Sequence, residues 1–268
     1  PVCLRIGAKH RTFLRRETEE EKIPREEKES HPMLYRVTKT LIGTCAACVL
    51  GFSGAANAQD AETNSISWSA SLTGATEYIW RGVEQSAGDP AVFAAISASY
   101  GNFYAGAGIE NVDFAGIDTE YDFWVGFAAP IADGTTFDIG LVRYGYLDAP
   151  SGLDLDTVEL KLALSHDFGG FSAGITAMIT DDFFATEASA QHVEVNASTP
   201  VSENWTISGS IGHQMLDNSA GNYTHWNIGA SRSVADNVTL DIRYIDTDAD
   251  YLGGAADERI VASFSVAF

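Results

Sequence analysis

The segment Arg259-Ile260-Val261-Ala262-Ser263-Phe264-Ser265-Val266-Ala267-Phe268 decides the fold. Ile260, Ala262, Phe264, Val266 and Phe268 share one parity, and the intervening residues are small or polar apart from Val261. A period of two sorts side chains onto the opposite faces of a strand. In water such a strand, with an aromatic at its end and no polar tail, would be an aggregation hazard. In a membrane barrel it has a use, because the last strand pairs with the first and closes the sheet. Ile260, Ala262, Phe264, Val266 and Phe268 are therefore expected to form the signal read by the barrel-assembly machinery.

Eleven more segments with the same alternation lie upstream, over residues 66–72, 92–100, 103–109, 121–127, 137–141, 158–164, 171–179, 193–197, 205–211, 226–230 and 238–244. The opposite faces carry Ser, Thr, Gly, Asn and charges, as at Ser67, Ser69 and Ser71. The connections alternate between tight ones, such as 100–103 and 200–204, and longer ones at 81–90, 147–156, 180–190 and 246–257. The longer ones are acidic, with Asp148, Asp154, Asp156, Asp181, Asp182, Glu187, Asp246, Asp248, Asp250 and Asp257. Short periplasmic turns and long external loops belong to outer-membrane barrels. Tyr78, Trp80, Tyr100, Phe103, Tyr104, Phe168, Phe171, Trp205, Tyr223 and Tyr244 sit near strand ends, where aromatic girdles meet the lipid boundary. The expectation is an all-β chain, a closed antiparallel up-and-down transmembrane β-barrel of about twelve strands with its apolar face in lipid. A secreted sandwich with that face turned inward is the rival.

The N-terminal region reads differently. Residues 1–32 have mixed charge and no apolar periodicity, and are expected to be disordered or mis-started upstream sequence. Residues 33–58 have the parts of a signal peptide: Met33, basic Arg36 and Lys39, an apolar run from Leu41 to Phe52, and Ala56-Asn57-Ala58. The run is short of the ~20 residues a spanning helix needs. Cleavage after Ala58 would leave residues 59–268 as the barrel, exported through the periplasm to the outer membrane. All three cysteines, Cys3, Cys45 and Cys48, precede that point.

From Gln59 onward six Lys and Arg stand against thirty Asp and Glu, six minus thirty or −24. No nucleic-acid partner is expected of such a surface. No G-x-S-x-G elbow, phosphate loop or H-E-x-x-H is present, so an enzyme is not expected. His213 and His225 are expected to approach each other across adjacent strands. Asp246-Thr247-Asp248-Ala249-Asp250 opens like a calcium loop, but Tyr251 occupies the position that needs Gly. No catalytic residue, cofactor or metal ligand is assigned.

Several motifs carry a family resemblance. They are Tyr78-Ile79-Trp80-Arg81-Gly82-Val83-Glu84-Gln85-Ser86, Asn102-Phe103-Tyr104-Ala105-Gly106, Glu120-Tyr121-Asp122, Phe137-Asp138-Ile139-Gly140-Leu141-Val142-Arg143-Tyr144, and Glu159 in the next strand. With these the stretch from Ser71 to about Ile175 resembles the TorF-type porins, a proteobacterial outer-membrane family also labelled Gcw_chp. The Tyr-x-x-Arg-Gly-x-x-x-Ser block is its distinctive part. Tyr146-Leu147 departs from the Tyr-Pro pair expected after the fifth strand. The resemblance implies an outer-membrane, porin-like role and brings no substrate.

Arg81, Glu120, Asp122, Asp138, Glu159, Lys161, Glu194, Asp241 and Arg243 take the non-lipid parity of their segments and are the expected pore-lining residues. Acidic groups outnumber basic ones there, which favours cations over anions. The function expected is passive passage of small solutes, weakly cation-selective. The alternative is a closed barrel with a binding, adhesion or structural role through its acidic external loops. Twelve strands lie between the filled barrels of eight and the open ones of sixteen, so pore and plug compete. The partners expected are outer-membrane lipid, the assembly machinery, small solutes or cations, and further copies of the chain. Arg143 and Arg232 fall on the lipid parity, and either snorkel at the boundary or mark a bulge.

Overall fold

Each of the twelve alternating segments becomes a strand in the computed structural model, which describes residues 65–186, 188–217 and 221–268. The upstream segment 1–32 and the signal segment 33–58 lie outside those residues. The barrel strands are β1 (Ser67–Ala75), β4 (Ala91–Tyr100), β5 (Phe103–Phe114), β6 (Ile117–Ala132), β7 (Thr135–Tyr146), β8 (Thr157–Asp167), β9 (Ser172–Thr180), β10 (Ala190–Pro200), β11 (Trp205–Leu216), β12 (Tyr223–Ala235), β13 (Val238–Thr247) and β14 (Arg259–Ala267). They form one closed antiparallel barrel in which each strand pairs with its neighbours in sequence and β14 returns to β1. At that seam Leu72 faces Val266 and Gly74 faces Phe264. Phe268 N donates to Ala70 O at 2.8 Å and Ala70 N to Phe268 O at 3.2 Å, so the ladder runs to the final aromatic.

The surface is inverted relative to a water-soluble fold. Trp68, Phe103 and Ile260 are 68%, 63% and 68% exposed, whereas Asp122 and Gln214 are fully enclosed. Apolar side chains ring the outside because the parity read from the sequence points them there. A continuous apolar exterior of this kind needs a nonpolar surrounding.

The segment between β1 and β4 is not a simple external loop. Ile79–Trp80 (β2) and Val83–Glu84 (β3) form a small antiparallel hairpin of their own. Its turn residues Arg81 and Gly82 have φ of 47° and 79°, the double positive φ of a tight hairpin turn. The hairpin folds into the barrel: Tyr78 and Ile79 are buried against Ala75, Phe93, Val112, Ile117, Ile245 and Val261. Only glycine fits at 82, since a Cβ there would lie 2.6 Å from His225 Cβ. A 3-10 helix, Asp250–Ala256, lies in the β13–β14 connection, and Val83 packs against the cluster of Tyr223, Ala249 and Ala256.

Two groups of expectations are corrected. Of the aromatics assigned to the girdles, Tyr100, Phe103, Phe168, Phe171, Trp205 and Tyr244 face outward, but Tyr78 and Tyr223 are buried. Trp80 is carried inward by the hairpin and meets Tyr144. Tyr104 lies on the inward parity, and Gly126 makes its room: a Cβ on Gly126 would lie 2.2 Å from Tyr104 Oη. His213 does not meet His225. It sits opposite Thr224 on the outer face, and its Nδ1 lies 3.0 Å from Thr224 Oγ1. The two arginines on the lipid parity keep their register. Arg143 bonds Tyr121 and Asp156, while Arg232 lies 5.5 Å over the Trp205 ring, with a bulge just beyond it between Ser233 and Ala235.

Candidate functional site

The nine charged residues expected on the non-lipid parity are all enclosed by the barrel; Glu194 retains the most exposure, 16% of its side chain. The three basic groups among them organise the interior. Arg81, at the tip of the hairpin, donates Nη1 to Glu159 Oε1 at 3.0 Å and Nη2 to Glu159 Oε2 at 2.6 Å. Its Nη1 also donates to Gln214 Oε1 at 2.9 Å. The guanidinium stacks 4.2 Å from the Trp80 ring, and Tyr144 Oη donates to Glu159 Oε2 at 3.1 Å. Glu159 belongs to β8, five strands from β1 one way round the ring and seven the other. Arg81 therefore ties a loop rooted beside β1 to the far wall, through the paired fork geometry that favours Arg over Lys.

Lys161 donates to Asp138 Oδ2 at 2.7 Å, and Tyr104 Oη donates to Asp138 Oδ1 at 2.7 Å. Arg243 donates to Asn227 Oδ1, Ser208 Oγ and Asp241 Oδ2, at 2.5, 2.8 and 3.2 Å. Each buried cation thus has a carboxylate and at least one further oxygen, or an aromatic hydroxyl on that carboxylate. Unpaired burial of such charges would be costly.

Among the described residues, Glu120 and Asp122 have no basic partner of this kind. They meet Glu110, a residue the sequence reading did not assign because its third segment stopped at 109, whereas β5 runs on to Phe114. One ligand oxygen from each of the three carboxylates lies within 4.8 Å of the other two. A second group the sequence reading missed joins His192, Glu194 and His225. His192 and His225 Nε2 are 2.8 Å apart with their rings stacked, and Glu194 Oε2 lies 4.0 Å from His225 Nε2. The signal was register: Gly212 stands opposite His225 and leaves the space, since its Cβ would lie 2.3 Å from His225 Nε2. The Asp246–Asp250 run forms no such group among the described residues. Asp246 accepts from Tyr244 Oη and Thr247 N, and Asp248 from Thr224 N.

At the long-loop end a vestibule of about 420 Å³ opens above the interior. Trp80, Tyr146, Phe183, Phe184 and Tyr251 line it, with Glu120 as its only carboxylate among the described residues. Burial, and then Asp248, hold the Tyr251 hydroxyl above its ordinary pKa.

An apolar exterior around a charged interior, on twelve closed antiparallel strands, defines a barrel of porin architecture. The chain belongs to the Gcw_chp family of bacterial proteins of unknown function, whose sequence profile matches residues 58–265. Among solved structures it is similar to the KdgM porin, at TM-score 0.55 and 8% identity over 75% of this chain and 99% of that one. The same values hold for the KdgM porin in complex with disordered oligogalacturonate. The NanC porin is similar at TM-score 0.51 and 11% identity, over 74% and 97% of the two chains. At these identities the likeness is one of fold. No curated relative matches the chain.

Proposed function

We propose that the protein is an outer-membrane porin-like channel for passive passage of small solutes, weakly selective for cations, reaching the membrane after cleavage behind Ala58. The observation that carries this reading is the charge of the enclosed interior. Glu110, Glu120, Asp122, Asp138, Glu159, Glu194 and Asp241 stand against Arg81, Lys161 and Arg243. Each basic group is paired with one carboxylate, which leaves an acidic excess among the described residues. Carboxylates along a narrow path lower the barrier for cations and raise it for anions. The same excess opposes a polyanion such as the oligogalacturonate held by the KdgM porin. Nine of these ten groups come from the wall, and Arg81 from the hairpin narrows the path between them.

Single-channel conductance of the purified protein in a planar bilayer under a salt gradient tests this. Stepwise conductance with a cation-directed reversal potential is expected. Inserted barrels that stay electrically silent would overturn it. The hairpin that reaches from β1 to Glu159 favours a second reading, a closed barrel that binds ligands at its vestibule and external loops. Silence combined with saturable ligand binding would support that alternative.

A further inference from the structure

We infer that Glu110, Glu120 and Asp122 form a binding site for a hard divalent cation of the calcium class at the floor of the vestibule. Glu110 on β5 faces Glu120 on β6 directly across the ladder, and Asp122 stands two residues further on, opposite Gly108. Like charges directly opposite each other destabilise a sheet. The three are 3%, 2% and 0% exposed, so water screens none of them. Both carboxylate oxygens of the fully enclosed Asp122, and Oε1 of Glu110, accept no hydrogen bond from outside the cluster. The two carboxyl groups are within bonding reach only of each other, and then only through a shared proton. These buried, unpartnered acceptors aimed into the cluster need a positive charge or a proton to offset them. The interior's three basic side chains are engaged with Glu159, Asp138 and Asp241.

All three ligands are hard oxygen donors, which suit calcium or magnesium rather than a softer metal. Tyr146 and Tyr78 are within hydrogen-bonding reach of Glu120 and brace it. Magnesium keeps several waters and is usually held by one or two carboxylates, so a site where three carboxylates converge favours the larger, more adaptable calcium ion. Glu120 also lines the vestibule and supplies an entry path. The His192–Glu194–His225 group is a weaker cation site, because Arg81 acts on all three of its members. The carboxylate site does not depend on an open lumen, so its failure and the failure of conduction are separate results.

Terbium, a luminescent stand-in for calcium, tests the inference in the purified protein in zwitterionic detergent. Trp124 and Glu110 Oε2 both approach the same point beside Gly108, at 3.3 and 3.7 Å, which places an indole donor next to the site. Saturable sensitised emission, displaced by calcium, is expected at neutral pH. In the E110Q/E120Q/D122N variant the emission should fall by about 10-fold or more, since ligand charge sets affinity at such sites. In D248N/D250N, which alters only external acids, it should persist. Heat-modifiable gel mobility establishes that each variant has folded. Should the triple variant not fold, the wild type must gain thermal stability with calcium and lose it with chelator. Absence of emission, which would mean that the carboxylates share protons, overturns the proposal. Equal loss in D248N/D250N also overturns it.

Discussion

Arg81 and Glu159 form the interaction on which the interior turns. Both are almost fully enclosed, at 5% and 1% side-chain exposure, and two parallel hydrogen bonds join them. Removing one partner strands the other's charge out of water. Glu159→Gln is therefore expected to cost about 3–5 kcal/mol of stability, measured by urea unfolding in detergent micelles. The double variant R81M/E159L should cost less than the sum of the two single changes, because it leaves no buried charge unpaired. Equal and additive costs would mean that the two side chains are hydrated independently. Parity in the sequence put Glu159 inside, but it could not supply the partner. Arg81 reaches it through a turn that brings residues 78 apart in the chain together.

The β2–β3 hairpin is the element least legible in the sequence. Each of its strands has two residues, too short for alternation to register, and its cover comes from Phe93 on the next strand and from Val112, Ile245 and Val261 on strands further along the chain. A trace was present in the apolar run Tyr78-Ile79-Trp80, followed by Arg81-Gly82. Those residues are the ones that carry the family resemblance, and their inward fold gives them a physical role. The barrel strands are the opposite case. Each has nine or more residues, long enough for the period of two to sort the side chains onto two faces. The alternating connection lengths and the terminal apolar strand favoured lipid over a buried core for the apolar face. Replacing Tyr78–Ser86 by a short Gly-Ser linker is expected to raise single-channel conductance several-fold. Unchanged conductance would mean that solutes bypass the hairpin.

Across the whole molecule, register decided what strand-by-strand reading could not. His192 and His225 meet, whereas His213 does not, because a shift of one residue moves a side chain through the wall. Glu110 joined its two neighbours only because β5 extends past the segment read from alternation. Pairing partners were not legible in either case. The external connections alternated in length as expected, except that β5 and β6 are joined by the tight turn Ala115-Gly116 at the long-loop end. Removing Phe264–Phe268 would take away the pairs with Thr73, Gly74, Leu72 and Ser71 at the seam. Loss of heat-modifiable mobility is expected. A truncated chain that still shifts on heating would show that the ring closes without those pairs.

The seam has a kinetic consequence. Thr73 and Ser265 bond at 2.8 Å although 192 residues separate them. Every other barrel pairing joins neighbours in sequence and could form early, but this one must wait until nearly all the others exist. Until then any partly built sheet carries two unsatisfied edges, each able to recruit a strand from another molecule. The rate of that one long-range encounter, more than the strength of any single ladder, should govern whether a chain reaches its barrel or is lost to aggregation.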